Sequence, residues 1–272
     1  MKIYISADIE GVAGVPSWEY GSRKNLDYGI GRDLMAEEVN AAIGGSLDAG
    51  AKEIIVNDSH ASMVNLIPTK IHRAAKLLQG EVKPWSMMQG MDKRYDAALF
   101  IGYHSMAGTW QGSMAHTYSG AIREARVNGI PFGEPGLNAA FCGYHRTPLV
   151  FLSGDEAATN EIHKLIPSIV TVAVKKGYGR KAVLSIHPEI AREKIREGVA
   201  KALSGIKNIK PFLPKSPYTL EIKLLGSEMA DMCERIPGIK RLANSRISFK
   251  NRDYKEIFRC FLGIMTISSH LL

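Results

Sequence analysis

The sequence predicts an α/β fold, a mostly parallel sheet covered by helices, with a smaller C-terminal α+β domain. Three observations carry that expectation. Short apolar runs alternate with amphipathic stretches through the first 175 residues, the pattern of βαβ units. Each run is strand-sized. Beyond Ser204 the texture changes to GIKNIKPFLPKSP, a Pro- and Lys-rich stretch of the kind that joins units.

The first strand is expected over Lys2 to Ala7. Gly31 to Ala49 carries apolar residues at Leu34, Met35, Val39, Ala42, Ile43 and Leu47, with acids at Asp33, Glu37 and Glu38 near its start, where a helix dipole favours negative charge. Further strands are expected at Glu53 to Asn57, Ala97 to Gly102, Pro148 to Ser153 and Ile169 to Val174. Helices are expected over Pro135 to Tyr144, Glu156 to Leu165 and His187 to Leu203, the last with Pro188 in its first turn. A boundary near residue 212 divides the chain into 1–211 and 212–272. The second part reads as strand Thr219 to Leu225, helix Ser227 to Arg235, strand Arg246 to Phe249 and helix Asp253 to Ser268.

A length of 272 residues suits two domains, and 45% hydrophobic against 23% charged residues suits a globular core. Apolar stretches such as Ala97 to Ile101 fall far short of the about 20 residues that a membrane span needs. Asp8 and Glu10 interrupt the region where a secretory signal requires an unbroken apolar core, so a cytoplasmic protein is expected. Cys142, Cys233 and Cys260 are scattered and suggest neither a disulfide framework nor a thiolate metal site. The net charge of +8 is uneven: residues 1–160 hold 14 Lys and Arg against 17 Asp and Glu, and the remainder 21 against 10. The basic residues are spread through helical patterns without interleaved aromatics, which reads as a solvated face or subunit contact in preference to a nucleic-acid surface.

In parallel α/β sheets ligands bind beyond the carboxyl ends of the strands. The residues just beyond the strand ends are of one kind here: Asp8-Ile9-Glu10-Gly11, Asp58-Ser59-His60, Tyr103-His104 and Gly154-Asp155. In an extended backbone Asp8 and Glu10 project to one side, as do Asp58 and His60. Singly these residues are weak signals, because strand-end aspartates often cap helices and a lone histidine is more often a core residue than a ligand. Their convergence on one edge favours an open site for Zn²⁺ or Mn²⁺. Glu134, beside a helix start, reads equally as a cap or a ligand. His116, in the loop Gly112 to Thr117, is a titratable group suited to proton transfer near neutral pH. His72, His145, His163, His187 and His270 read as structural. Nucleotide-loop, serine-hydrolase and H-E-x-x-H motifs are absent.

Ser6 to Gly11, S-A-D-I-E-G, resembles the S-x-D-x-E-G hallmark of the zinc-dependent D-aminopeptidases associated with bacterial dipeptide-transport operons. VNDSH (Val56 to His60), VKPWSM (Val82 to Met87), ALFIGYH (Ala98 to His104), MAHT (Met114 to Thr117) and GEPGLNA (Gly133 to Ala139) resemble the family's other blocks in order and spacing. The resemblance implies two Zn²⁺ per subunit, one held by Asp8, Glu10 and His60 and one by Asp8, His104 and Glu134, with Asp8 bridging and His116 in a catalytic role as nucleophile or base. It implies hydrolysis of short peptides with an N-terminal D-residue, in a homodecamer of stacked rings to which residues 212–272 would contribute contacts or channel lining. Pro135, after Glu134, departs from the family's pattern and suits a helix's first turn. Read on the residues alone, a two-metal phosphoesterase and a non-catalytic ring-forming or nucleic-acid-binding protein remain alternatives.

Overall fold

The computed structural model describes residues 1–92 and 94–272. Its elements are β1 (Lys2–Ala7), α1 (Trp18–Gly21), α2 (Tyr28–Asp48), β2 (Glu53–Asp58), β3 (Ala75–Leu78), β4 (Ala97–Tyr103), β5 (Ile122–Val127), β6 (Ile130–Pro131), α3 (Glu134–Tyr144), β7 (Leu149–Asp155), α4 (Glu156–Leu165), β8 (Val170–Gly179), β9 (Ala182–Ser185), α5 (Pro188–Ser204), β10 (Tyr218–Leu224), α6 (Ser227–Cys233), β11 (Lys240–Ala243), β12 (Arg246–Asn251) and α7 (Tyr254–Ser269).

A seven-stranded sheet runs β3-β2-β1-β4-β7-β8-β9, parallel except for β9. Strands β4 and β7 are buried along their whole length, as befits near-continuous apolar runs covered on both faces. The chain lays β1, β2 and β3 outward in one direction, then returns to place β4 on the free side of β1. This reversal makes the β1/β4 boundary the switch point, where the connections leave in opposite directions and open a crevice. Helix α2 packs on α5, and α3 packs on α4.

A second sheet, β11-β12-β10-β5-β6, is antiparallel, and its central strand β10 alternates buried residues with half-buried or exposed ones as a sheet with one covered face should. It draws β5 and β6 from residues 122–131 and its other strands from beyond residue 212, so no sheet boundary coincides with the division expected there. Helix α7 packs on β10, β12 and α3, where the Tyr254 hydroxyl donates to the Leu137 carbonyl at 3.0 Å. One continuous apolar core spans both sheets.

Two expectations are corrected. Strands β3, β5, β6, β9 and β11 add to those expected from the sequence. Helix α2 starts at Tyr28 behind Asp27 at its N-cap, so Asp33, Glu37 and Glu38 all lie beyond its first turn, which holds no acid. Glu38 is instead buried, with its Oε1 accepting the Ala13 N–H at 2.8 Å.

Candidate metal centre

The centre forms where the loops after β1 and β4 cross at the switch point. Gly11 N–H donates to Gly102 O at 2.8 Å, and a Cβ at Gly11 would stand 1.9 Å from Tyr103 O. Gly102, with φ +70°, has no room for one either, since Asp8 O would lie 2.3 Å away. Both positions therefore need glycine, and their close approach brings Asp8 and Glu10 beside His104. The strand ends at Ala7, so the two carboxylates converge through the turn at Ile9 and Glu10 and not by strand alternation.

Every ligand expected from sequence reaches this point. His60 Nδ1 lies 3.3 Å from Asp8 Oδ1 and 3.0 Å from Glu10 Oε2. His104 Nε2 lies 3.6 Å from Asp8 Oδ2 and 3.2 Å from Glu134 Oε1. His116 Nε2 is 3.9 Å from Glu10 Oε1 and 3.5 Å from Glu134 Oε1, its ring stacked on that of His104 at 4.1 Å. Among the described residues, three trios have ligand atoms within 4.8 Å of one another: Asp8, Glu10 and His60; Asp8, His104 and Glu134; Glu10, His104 and His116.

The protonation pattern says what the cluster is for. Nε2–H of His60 donates to Gly21 O at 2.7 Å, Nδ1–H of His104 to Ser105 O at 2.9 Å, and Nδ1–H of His116 to Met114 O at 2.9 Å. A carbonyl only accepts, so each imidazole is anchored through one nitrogen and aims the other at the carboxylates, an arrangement typical of metal-binding histidines. Glu10 Oε2 and His104 Nε2 are buried without a hydrogen-bond partner. Lone pairs facing lone pairs in a buried site call for a cation or a proton between them.

Without a metal, protons fill that role. Against the downward pull of burial, the Glu10 and Asp8 carboxylates hold His60 well above the usual imidazole range, and Glu134, Glu10 and Asp8 do the same for His104. Burial and then the Glu10 charge push Asp8 well up. Burial would raise Glu10 and Glu134 too, but the imidazoles beside them bring both below the ordinary value. His116 moves the other way, lowered by burial and then by His104.

Two other strand-end acids prove to be scaffolding. Asp58 accepts from Asn65 N, Leu66 N and Asn65 Nδ2 at 2.6, 2.7 and 2.8 Å, shaping the loop behind His60. Asp155 caps α4 through Ala158 N at 3.0 Å and accepts Ser113 N at 3.0 Å on the His116 loop. That loop is bent through positive φ at Gln111, Met114 and Tyr118. Glu134 opens α3, with Pro135 next in the chain, and its Oε1 accepts Tyr118 N at 2.6 Å.

Sequence reasoning missed the supports beneath the site. Tyr118 Oη donates to Asn138 Oδ1 at 2.5 Å, Asn138 Nδ2 donates to Tyr103 Oη at 3.1 Å, and Tyr103 and Ser6 share a hydroxyl contact at 2.8 Å. Trp18 sets its edge against His116 at 5.1 Å. No spacing rule points to these residues, although Ser6, Tyr103 and Asn138 all lie within the sequence blocks that carry the family resemblance. The centre opens into a cavity of about 1100 Å³, with Trp18, Met63, Met87, Phe249 and Met265 among its walls.

A switch-point cluster of carboxylates and anchored imidazoles, open to a deep cavity, defines a metallohydrolase of the α/β class. The chain belongs to the D-aminopeptidase family, whose sequence profile matches residues 1–263. It is 36% identical over 267 residues to a D-aminopeptidase of Bacillus subtilis, covering 98% of this chain and 97% of that one. Its structure superposes with a TM-score of 0.95, at 34% identity and 98% coverage of both chains, on the zinc-dependent D-aminopeptidase DppA from Bacillus subtilis, a self-compartmentalizing protease. This protein is a metal-dependent aminopeptidase.

Proposed function

We propose that the centre holds two Zn²⁺ ions and removes N-terminal D-residues from short peptides. Asp8, Glu10 and His60 would hold one ion and Asp8, His104 and Glu134 the other, with Asp8 shared. The observation that carries this reading is the anchoring of His60 and His104 through backbone carbonyls, which leaves Nδ1 and Nε2 facing three buried carboxylates. Oxygen and imidazole donors without thiolate fit zinc in an open, catalytic setting. Zinc bound there would supply a Lewis acid that polarises the scissile carbonyl and acidifies water.

His116 stands apart from the five ligands. Its Nε2 is the farthest of the three imidazole nitrogens from the carboxylates, and the side chain keeps 15% exposure toward the cavity. Burial and His104 keep it neutral near pH 7, so Nε2 is free to accept a proton and return it to the leaving amine. The donation from Nδ1 to Met114 O fixes the ring for that exchange.

The self-compartmentalizing relative supports an oligomeric assembly for this chain as well, and a homodecamer of stacked rings with residues 212–272 at its contacts is the finer proposal. Among the described residues no helix is long and apolar enough to cross a membrane, and we assign a cytoplasmic location.

The test is hydrolysis of matched D- and L-alanyl dipeptides by the purified, zinc-loaded protein, before and after chelation and zinc return, with metal counted by elemental analysis. Chelator-sensitive cleavage of the D-peptide with about two zinc ions per chain is expected. Cleavage indifferent to chelation, or turnover of phosphoesters without any peptide, would overturn the assignment.

A further inference from the structure

His116 also lines a second cavity, of about 430 Å³, whose walls include Thr109, Trp110, Arg123, Tyr178 and Arg180. The two cavities share His116 and Gly120 as wall residues. Their charges are opposed. The main cavity is lined by five acids, Asp8, Glu10, Glu81, Glu134 and Glu256, against Lys83 and Arg259, whereas the charged side chains lining the second are Arg123 and Arg180, with no acid among its described lining residues. On the antiparallel sheet that carries Arg123, Arg126 and Arg246 both bind Glu124, and Arg241 binds Asp231 and Glu234. Among the described residues, no carboxylate lies within ion-pair reach of Arg123 or Arg180.

The backbone ties these arginines to the catalytic loop. Arg180 sits in the turn between β8 and β9, and its carbonyl accepts the Met114 N–H at 2.9 Å, two residues before His116. The hairpin can come so near because Gly177 has no Cβ, which would stand 2.0 Å from Gln111 O. Arg123 lies in β5, three residues beyond Gly120.

We propose that the second cavity is the subsite for the substrate's C-terminal carboxylate, with Arg180 and Arg123 as specificity-determining residues. The proposal rests on the aminopeptidase activity stated above. A short peptide is a zwitterion. With its scissile bond at His116, its ammonium lies on the side of the carboxylates and its carboxylate on the side of the arginines. The two residues of a dipeptide span at most about 7 Å, so both ends are engaged only when the peptide is short. A guanidinium fork binds a carboxylate through two parallel hydrogen bonds and has no such match for a carboxamide. The substrate class is therefore short peptides with a free C-terminal carboxylate.

The experiment compares kcat/KM for an alanyl-alanine dipeptide and its C-terminal amide, in both stereochemical series. The enzymes are the zinc-loaded wild type, Arg180→Gln, Arg123→Gln and the double variant. The wild type should favour the free acid by about tenfold or more, chiefly through KM, and the double variant should bring the acid-to-amide ratio close to unity. Both side chains are exposed, so the unfolding midpoint should not move. A wild type that cleaves acid and amide equally, or a double variant that keeps the wild-type ratio, overturns the subsite and leaves the peptidase intact. Failure to cleave either substrate in either series removes the peptidase assignment first, and the subsite with it.

Discussion

Two sets of buried acids share one edge of the main sheet, and they do opposite things. Asp8, Glu10 and Glu134 face imidazoles and one another, leaving Glu10 Oε2 without a hydrogen-bond partner. Asp58 and Asp155 are as deeply buried, but backbone amides fill their lone pairs. Position at a strand end does not separate ligand from scaffold here. What separates them is how much of the carboxylate's acceptor capacity is used up within the protein: Asp8 and Glu134 each accept one backbone amide, Asp58 and Asp155 two.

The largest effect that sharpens this contrast is at Asp8, which belongs to two of the trios. Asp8→Asn should lower kcat/KM at least about 10⁴-fold, because both ions lose a charged ligand together. Zinc content should fall with it. The metal-free variant should be no less stable than metal-free wild type, since a carboxyl held well up by burial and by Glu10 gains little from ionising. A variant that unfolds more readily than wild type when both are stripped of metal would place Asp8 with the scaffold.

Next is His116. His116→Gln should cost about 100- to 1000-fold in kcat, the usual worth of a positioned proton carrier, with zinc stoichiometry unchanged. Loss of zinc from this variant would instead make His116 a ligand in the trio with Glu10 and His104.

Asp58→Ala should behave as the mirror image of Asp8→Asn. It removes the acceptor of two backbone amides and of Asn65 Nδ2, at a cost of about 3–5 kcal/mol in urea unfolding whether or not zinc is present. If that cost appears only in the zinc-loaded protein, Asp58 acts through the metal and the distinction between the two sets collapses.

The legibility of the sequence divides along the same line. Long periodic helices and strands buried on both faces are written in local pattern, so β1, α2, β4, β7 and α5 are legible, as is the presence of acids and imidazoles after the strands. The second sheet is less so, because β5 finds its partner β10 about a hundred residues away. A local signal exists: Asn128 and Gly129, both at positive φ, join β5 and β6 as an Asn-Gly hairpin turn. The roles of Asp58 and Asp155 are set by which amides fold back onto them, and that is a tertiary fact. Likewise Glu38 reads as a dipole-favoured helix acid, whereas the helix starts three residues earlier, so Glu38 is its eleventh residue, about three turns in, and lies on the buried face.

The smallest expected effect concerns that residue, an intermediate case between the two sets. Glu38 Oε1 accepts Ala13 N, but Oε2 has no partner, and burial pushes its carboxyl up to about 7 in spite of Ala13 and Lys175. On the other side of the same loop, the buried Lys175 ammonium donates to Glu10 O, to Val12 O at 3.1 Å and to Val15 O at 2.6 Å. The segment that presents Glu10 is thus gripped through one amide and three carbonyls. Because Glu38's folded value lies above its unfolded one, the native state holds the proton more tightly between them. Stability from this group is therefore full at mildly acidic pH and is lost as pH rises from about 4.5 through about 7, by up to about 3 kcal/mol. Glu38→Gln keeps an oxygen for Ala13 N and removes the titration. The metal-free variant should match wild type at pH 5 and exceed it by about 1–2 kcal/mol at pH 8, since lost attraction to Lys175 offsets part of the gain. Titrating groups other than Lys175, which is coupled to Glu38, are common to both proteins and cancel in the difference. Identical pH dependence of urea unfolding in variant and wild type would mean that Glu38 ionises at an ordinary value, and that its unfilled oxygen belongs with the scaffold acids after all.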